Sequence, residues 1–550
     1  MPAIPSLARC AAALLAAAVS STPAQTAPAM SYANRFDQEL AGRYEAREKD
    51  WRNGAVVYQV LVDRFAPSAD LQAKRALYPA PKRLRAWSEE PRRGTYLAGD
   101  KLWSHEIDFW GGDLASLATK LDYVQQLGAE VLYLNPICLA YTNHKYDALD
   151  YNQVSPEYGT RQDVVRLAAE LHRRGMKLVL DGVFNHMGRN APIFKEAQEA
   201  YLEETAPKGG KRAAAGGSSY RDWFIFGPQY PGGARSWWGA ANLPELNLEN
   251  PAVREHLFGA PDSVVRGWLR DGIDGWRLDV AFDIGFVFLD QLTRAAHAQK
   301  PGSLVVGEIP NYPREWFPSV DGVMHFGLRR ILLMMADGRL DGPTAGRMIA
   351  RIVEDTGIEH MLKSWIYLDN HDTERVATVV PDEGRRRVAQ VLQFTLPGSP
   401  NLYYGSEVGM RGGDDPEMRG PMRWDLVAAG PAQLAWTRQL IALRQHRALR
   451  VGDWRVLVSH ELLAFERYTD RAADAVIVVA NPGAKAVQET VLLSDSKVMD
   501  GSRWVDLLGQ APPATVHAAL LEVEVPAHTA LVLQRQGQRS DGYSNYKRVQ

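Results

Sequence analysis

The amino-acid sequence predicts an α/β fold, a (β/α)8 TIM barrel with an inserted subdomain after strand 3 and a C-terminal antiparallel β-domain. From about residue 55, short β-rich runs alternate eight times with amphipathic stretches, which is the pattern of βα units around a parallel sheet. Several runs are almost continuously apolar, as expected of strands that are buried on both faces. After Arg447 the pattern changes to short alternating runs, which predicts a separate antiparallel β-domain.

The individual elements are predicted from these runs. Barrel strands are predicted at Ala55–Asp63, Ala129–Pro136, Lys177–Asn185, Gly275–Val280, Ser303–Glu308, Gly322–Phe326, Ser364–Asn370 and Asn401–Glu407. Helices between them are predicted at Asp113–Leu127, Arg161–Arg174, Ala252–Arg270 and Gln433–Arg447, where apolar residues recur at helical spacing. Strands of the C-terminal domain are predicted at Trp454–Ser459, Leu462–Tyr468, Ala475–Ala480 and Ala530–Gln534.

Two long insertions interrupt the barrel pattern. Residues 66–112 are rich in proline and arginine and are not expected to be regular, and the insertion after strand 3 contains a loop predicted at Pro207–Ser219. The predicted domains are the barrel at 50–186 and 251–447, the inserted subdomain at 187–250, the β-domain at 448–537 and a polar tail at 538–550.

Composition excludes several classes of protein. The chain has 550 residues, of which 46% are hydrophobic and 23% charged, which is typical of a globular protein. The formal net charge of −2 gives no reason to expect nucleic acid or an anionic membrane as a partner.

The N-terminus has the pattern of a secretory signal peptide, predicted at residues 1–24. Arg9 precedes an apolar run that ends at Val19, and small residues follow up to Ala24. The run is too short to span a bilayer, so a secreted or periplasmic protein is predicted. The mature chain would keep only Cys138, which excludes an intrachain disulfide.

Polar residues cluster at the predicted carboxyl ends of the strands, where barrel enzymes have their active sites. Strand 3 ends in Asp181–His186, strand 4 in Trp276–Val280, strand 5 at Glu308 and strand 7 in Leu368–Asp372. Three carboxylates therefore point to one end of the barrel: Asp279, Glu308 and Asp372. Retaining glycosidases need two carboxyl groups about 5–5.5 Å apart, and Asp279 and Glu308, on adjacent strands, could meet that spacing.

Each of these motifs has a structural interpretation when taken alone. An Arg-x-Asp on a strand is often an internal ion pair, a Gly-Glu at a strand end is usually solvated surface, and Asn-His-Asp is common in turns. Four strand ends that carry compatible groups in the right order favour a catalytic site instead.

These four segments resemble the four signature regions of the α-amylase superfamily, glycoside hydrolase family 13. The resemblance covers about residues 55–535 and implies that Asp279 is the nucleophile and that Glu308 is the acid/base, which must carry its proton at the working pH. It implies that Asp372 is the third carboxylate, which binds sugar hydroxyls and stabilises the transition state. The resemblance also implies sugar-site roles for Arg277, which keeps the nucleophile ionised, and for the hydroxyl-binding histidines His186 and His371.

Within this family, Asn143-His-Lys-Tyr-Asp147 is most similar to the cyclomaltodextrinase, neopullulanase and maltogenic amylase branch. The resemblance implies that Tyr146 stacks on the sugar at the cleavage point, beside Asp147. Glu245 departs from that branch, which usually has lysine in Met-Pro-Lys-Leu-Asn. Few residues precede strand 1, so the branch's N-terminal β-domain is not expected here, and a monomer is predicted rather than the branch's usual dimer.

The cofactor prediction depends on two further departures. Phe282-Asp283 replaces the Lys-His pair that typical α-amylases carry, and the segment after Asp63 lacks the loop that binds calcium in many relatives. No cofactor is therefore expected to be required; calcium stays open, and no metal ligands can be assigned.

The predicted function is retaining hydrolysis of α-1,4-glucans, with maltodextrins, cyclodextrins, pullulan and starch as candidate substrates, and the partner is therefore an oligosaccharide or polysaccharide. Two alternatives stay open. A glucan transglycosylase or isomerase would use the same glycosyl-enzyme intermediate with another acceptor, and a non-catalytic sugar-binding relative would keep only the barrel.

Overall fold

A closed barrel of eight parallel strands forms the centre of the molecule. The computed structural model describes residues 36–206, 219–496 and 498–536. The strands follow one another around the barrel in chain order, and β1 closes it against β8. Their bounds are β1 (Val57–Val60), β2 (Val131–Leu134), β3 (Lys177–Gly182), β4 (Gly275–Leu278), β5 (Leu304–Glu308), β6 (Gly322–Met324), β7 (Trp365–Ile366) and β8 (Ser399–Tyr403). The predicted fold class is confirmed.

The period-two alternation of the strands places polar side chains inside the barrel. The lower interior is apolar and contains Val57, Val179 and Val306. Residues two positions further along point to the same side, one layer nearer the carboxyl ends of the strands. This upper layer contains Gln59, Tyr133, Asp181, Arg277 and Glu308. The same alternation that fills the core therefore supplies the polar end of the barrel.

Helices surround the barrel and pack their apolar faces against the outer side of the strands. Their bounds are Phe36–Lys49, Val62–Phe65, Leu114–Ala118, Leu121–Leu127, Arg161–Arg173, Pro192–Thr205, Pro251–Arg254, Val264–Arg270, Ala281–Ile284, Phe286–Gln299, Phe326–Ala336, Gly342–Thr356, Ile358–Lys363, Val376–Val379, Glu383–Thr395, Trp424–Ala429, Ala432–Leu443 and Arg447–Val451. No helix in the described ranges is long and apolar enough to cross a membrane.

Several elements are shorter than predicted. The first strand ends at Val60 because Asp63 turns inward, where its carboxylate accepts hydrogen bonds from the amides of Trp110 and Gly111 at 3.1 and 2.9 Å. The predicted helix Ala252–Arg270 is interrupted by a π-helical turn at Glu255–Gly259. Pro261 follows, and since it has no amide hydrogen, it cannot continue the helix.

Three chain segments rise above the carboxyl ends of the strands. The first insertion contains short strands at Arg83–Leu84, Tyr96–Leu97, Leu102–Trp103 and Asp108–Phe109. A hairpin that the sequence did not predict, Cys138–Ala140 with Ala148–Val154, follows β2. The insertion after β3 returns to the barrel through a bridge between His186 and Glu245. Residues 207–218 of its predicted loop lie outside the described residues, as do the predicted signal peptide and the polar tail.

The C-terminal domain is an eight-stranded sheet. Its strands are β9 (Asp453–Val456), β10 (Leu463–Tyr468), β11 (Val476–Asn481), β12 (Val487–Leu492), β13 (Arg503–Asp506), β14 (Ala514–His517), β15 (Leu520–Val525) and β16 (Thr529–Arg535), in the order β9-β10-β11-β16-β13-β14-β15-β12. All the pairs are antiparallel, as predicted, but β12 to β15 were not predicted. Against the barrel, buried Arg467 donates hydrogen bonds to the carbonyls of Thr395 and Gly452.

Candidate active site

A cavity of 730 Å³ lies at the carboxyl ends of the barrel strands. Its size is within the range of about 300–1,000 Å³ that is usual for small-molecule sites. The barrel contributes the base, and loops from both insertions and from the segment after β8 form the walls. The lining residues that carry charge or a ring are Tyr96, Lys101, Trp103, Glu106, His144, Tyr146, His186, Trp237, Asp279, Glu308, Asp372, Asp415 and Arg419.

Arg277 is the centre of the charged network beneath the cavity. Its side chain is completely buried, and its Nη1 donates hydrogen bonds to Asp181 Oδ1 at 2.8 Å and to Asp279 Oδ1 at 3.1 Å. Its Nη2 lies 2.9 Å from Glu308 Oε2. Two carboxylates from adjacent strands thus contact the two terminal nitrogens of one planar guanidinium. The guanidinium therefore holds Asp279 and Glu308 side by side, by a hydrogen bond to the first and an ion pair with the second.

The backbone between the two carboxylates is strained. Val280 has φ 39° and ψ 45°, a left-handed conformation that is unfavourable for a β-branched residue. This conformation aims the Val280 amide at Glu308, which accepts its hydrogen bond at 2.9 Å. The strained backbone at Val280 therefore helps to hold the carboxylate of Glu308 in place.

Asp279 and Glu308 form one electrostatically coupled pair. Burial and the nearby charge of Glu308 raise the pKa of Asp279 well above its ordinary value, and Arg277 acts in the opposite direction. Two adjacent carboxyls of this kind share a proton, so that one of them stays protonated at a pH where an isolated aspartate would be charged. This is the protonation pattern that an acid and a nucleophile need together.

Asp372 differs from this pair because it is surrounded by donors. His371 Nε2 lies 2.8 Å from Asp372 Oδ2, and Arg419 Nη2 lies 3.0 Å from Asp372 Oδ1. Burial acts against ionisation, but these two neighbours hold the pKa of Asp372 well below its ordinary value. The carboxylate therefore stays charged while it faces the cavity.

His371 and Tyr146 are oriented by the upper layer of the barrel. Gln59 Nε2 donates a hydrogen bond to His371 Nδ1 at 2.8 Å, which leaves the His371 Nε2–H free to donate to Asp372 and to the Tyr146 hydroxyl. The rings of Tyr146 and His371 stack with an interplanar angle of 9°. The Tyr146 hydroxyl also donates to Asp181 Oδ2 at 2.9 Å. The predicted stacking residue is thus fixed and half-buried on the cavity wall.

His186 is a neutral histidine next to Asp279. Its Nε2 lies 3.9 Å from Asp279 Oδ2, and its ring stacks on Trp237 at 5.7 Å. Burial lowers the pKa of His186 to about 3, so the imidazole is uncharged over the pH range in which most enzymes work. Among the described residues, its Nε2 has no hydrogen-bond partner. A donor or acceptor is therefore available to a ligand at this point.

Asp147 is one of three predicted site residues that do not line the cavity. Its buried carboxylate accepts hydrogen bonds from the Thr142 hydroxyl and from the amides of Thr142 and Tyr141. It closes the turn that carries Tyr146. Arg277 and His371 likewise lie behind the lining residues, whereas Asp279, Glu308, Asp372, Tyr146 and His186 all line the cavity.

Comparison with known families identifies the family to which the chain belongs. A family profile described as "Alpha amylase, catalytic domain" matches residues 59–438, which is more than half of the chain. The chain belongs to the α-amylase family. The resemblance predicted from the motifs is thereby confirmed, and with it the glycosidase class.

The relatives within the α-amylase family belong to the predicted branch. Neopullulanase 2 of Thermoactinomyces vulgaris is 32% identical over 84% of this chain and 74% of the relative. A cyclomaltodextrinase of a Bacillus species is 31% identical over 78% of this chain and 73% of the relative. Among solved structures, the cyclic α-maltosyl-(1→6)-maltose hydrolase of Arthrobacter globiformis has a TM-score of 0.71 and 28% identity, covering 88% of this chain and 100% of that one.

The sequence did not predict several residues of this α-amylase-family site. Asp181 is part of a quoted motif, but its ion pair with Arg277 emerges only from the register of β3 and β4. Arg419 also contacts Asp415 at 3.1 Å, and Asp415 contacts His105 at 3.0 Å. Arg419, Asp415 and His105 lie in segments without a periodic pattern of apolar residues. The sequence therefore gives no sign that the fold brings them together near the cavity.

Two further observations concern other sites. Within the described ranges, no cluster of three or more His, Cys, Asp or Glu residues could hold a metal ion. A larger cavity of 1290 Å³ lies between residues 87–92 and 409–426, and none of the predicted site residues lines it.

Proposed function

We propose that this member of the α-amylase family hydrolyses α-1,4-glucosidic bonds in maltodextrins and cyclodextrins with retention of configuration. The observation that carries the proposal is the pairing of Asp279 and Glu308 on the guanidinium of Arg277, beneath a cavity that Tyr146 lines. Relatives named neopullulanase and cyclomaltodextrinase support α-glucans as the substrate class.

In the first step, the C1 atom of one glucosyl unit lies between the two coupled carboxyl groups. Glu308 transfers its proton to the glycosidic oxygen as the C1–O bond breaks, and Asp279 forms a bond to C1 from the other face of the ring. The hydrogen bond from Arg277 favours the ionised form of Asp279 that makes this attack. The products of the step are a covalent glycosyl-enzyme and the released sugar chain.

In the second step, a water molecule replaces the leaving chain. Glu308, now ionised, takes a proton from the water, whose oxygen attacks C1 while the bond to Asp279 breaks. Asp372 binds hydroxyl groups of the reacting ring, and His186 contributes its unpartnered Nε2. His371, predicted to bind hydroxyl groups itself, lies behind the cavity wall and orients Asp372. Tyr146 stacks on the ring, and we propose that Asp147 acts by holding the turn of Tyr146.

The decisive test removes each of the paired carboxyls. In Asp279→Asn and Glu308→Gln, kcat on maltotriose should fall by about 10³-fold or more, because each group takes part in bond making or proton transfer. The melting temperature should be unchanged or raised, since a buried repulsion is relieved. Asp290→Asn is the matched control, because this aspartate lies on the following helix and forms an ion pair with Arg294 outside the cavity. Wild-type-like turnover in purified Asp279→Asn would falsify the mechanism.

Product analysis separates the substrates and the alternatives. NMR should detect the α-anomer first, as retention requires. Digests of maltotriose, β-cyclodextrin, pullulan and starch define the substrate range, and cleavage of α-1,6 bonds in pullulan would extend it. Products longer than the substrate would indicate the transglycosylase alternative. Failure to trap a glycosyl-enzyme with a slow substrate would favour the non-catalytic alternative.

We also propose that catalysis needs no metal cofactor. The proposed steps use only carboxyl groups, histidines and the guanidinium of Arg277, whose contacts with Asp279 and Glu308 come from the protein itself. Activity on β-cyclodextrin should therefore be unchanged after dialysis against EDTA. Recovery of lost activity by added calcium would contradict this prediction.

Secretion and a monomeric state remain proposals. The apolar run from Cys10 to Val19 supports an exported protein, whereas one relative from Bacillus subtilis is named an intracellular maltogenic amylase. N-terminal sequencing of the protein from the periplasm and the medium tests cleavage after Ala24. Light scattering of the purified protein measures the oligomeric state.

A further inference from the structure

One wall of the cavity carries two aromatic side chains that the proposed chemistry does not use. Tyr96 and Trp103, here called the aromatic wall, face each other across a short antiparallel pair of strands in the first insertion. Their rings meet edge to face with centroids 5.7 Å apart. Both line the cavity, yet Tyr96 is 51% exposed and Trp103 is 37% exposed. Large aromatic surfaces left in contact with water at a cavity are typical of binding sites.

The aromatic wall is held in place by its neighbours. The guanidinium of Arg93 lies over the Trp103 ring at 5.2 Å, and the His105 ring stacks on it at 6.2 Å with an interplanar angle of 28°. Lys101 closes the turn between the two strands with φ 60°. The rings are therefore ordered before any ligand binds, which lowers the entropic cost of binding.

Two contacts join the aromatic wall to the reacting end of the cavity. The Trp103 amide donates to Glu106 Oε1 at 2.9 Å, and the other oxygen of Glu106 lies 3.4 Å from His144, whose ring stacks on Tyr146. His105 contacts Asp415, which pairs with Arg419, the partner of Asp372. The wall is thus connected to Tyr146 through two side chains and to Asp372 through three.

We propose that Tyr96 and Trp103 form a binding subsite for a glucosyl unit on the glycone side, beyond the unit that Asp279 attacks. The inference depends on the proposed function, in which Tyr146 and Asp372 hold the attacked ring and Glu308 faces the leaving chain. Because the wall is joined to Tyr146 and Asp372, it lies on the side of the chain that stays bound to Asp279. The carbon–hydrogen face of a glucose ring packs against aromatic rings, so the wall favours cleavage that leaves two or more units on the glycone side.

The test measures which bonds are cleaved in maltohexaose labelled at its reducing end. In Trp103→Ala, kcat/KM for bonds with two or more glycone units should fall about five- to tenfold, whereas kcat/KM for the bond with one glycone unit should change less than about twofold. The cleavage pattern therefore moves toward the non-reducing end. Trp103→Phe, which keeps an aromatic face, should restore most of the wild-type pattern.

Trp238→Ala is the matched control, because this tryptophan is 83% exposed in the opposite insertion and does not line the cavity. Its cleavage pattern should equal that of the wild type. The subsite is refuted if Trp103→Ala keeps the wild-type pattern or loses activity equally at every bond, since equal loss indicates a structural role. If the wild-type protein cleaves no α-glucan, the proposed function fails as well.

Discussion

The base and the walls of the cavity are built in opposite ways. The charged base consists of Asp181, Arg277, Asp279 and Glu308. It lies at the carboxyl ends of β3, β4 and β5, inside a closed barrel, and is held together by ion pairs of 2.8 to 3.1 Å. The walls come from irregular segments between strands, and they expose aromatic rings such as that of Trp103.

This difference assigns bond cleavage to the base of the cavity and the choice of sugar chain to its walls. Groups that make and break bonds need positions fixed within a fraction of an ångström, which strands of a closed barrel provide. Loops can change in sequence and length without disturbing the barrel, so they are the natural place for contacts that choose among sugar chains. Substitutions in the base should therefore change kcat, whereas substitutions in the walls should change KM and the cleavage pattern.

The strongest test of this comparison is Arg277→Lys. Lysine keeps the positive charge but loses the planar fork that contacts Asp279 and Glu308 together. We expect kcat on maltotriose to fall about a hundredfold or more, with a smaller change in KM, because the pair is no longer held for the transition state.

Arg467→Lys is the control for burial alone. Arg467 is also completely buried, but among the described residues its side chain donates hydrogen bonds to backbone carbonyls at the junction with the C-terminal domain. This variant should lose several degrees of melting temperature and keep its kcat within about twofold. If both variants lost stability and activity in the same proportion, Arg277 would have only a structural role.

A second prediction uses the pH dependence of stability. The pKa of His186 is about 3 in the folded state because the side chain is buried, whereas a histidine in the unfolded chain has its ordinary value near 6.5. Between these values only the unfolded state binds the proton. His186 therefore makes the folded state less stable as the pH falls from about 6.5 toward 3, by about 1.4 kcal/mol for each pH unit.

The measurement is the free energy of unfolding of the wild type and His186→Asn between pH 7 and pH 4.5. The variant should lose less stability over this range, although its kcat/KM should be lower because the contact beside Asp279 is gone. His460→Asn is the control, since its side chain is 88% exposed. Parallel curves for the wild type and His186→Asn would show that His186 is not a buried neutral group.

The contrast between base and walls also explains what the sequence could predict. Asp279, Glu308 and Asp372 follow apolar strands, where a carboxylate stands out and the strand period assigns its side. Leu520–Val525 alternates buried and exposed residues strictly, but its partner Val487–Leu492 is distant in the chain, so the pairing could not be derived from local pattern. His105 and Asp415 are more than 300 residues apart in irregular segments, and no periodic signal relates them.

The smallest expected effect concerns the connection between base and walls. The ion pair of His105 with Asp415 is partly exposed to solvent, with 40% of the aspartate side chain accessible. The imidazole itself is buried and accepts a hydrogen bond from the Gly94 amide at 3.1 Å, so His105→Ala should lower the melting temperature by a few degrees. The imidazole also stacks on Trp103, and its loss should loosen the wall without moving Asp372, which keeps Arg419 and His371 as partners. We therefore expect KM for maltohexaose to rise about two- to threefold with kcat unchanged.

A large fall in kcat would mean that the wall positions Asp372 directly. On this side of the cavity, bond cleavage and the choice of sugar chain would then depend on the same residues.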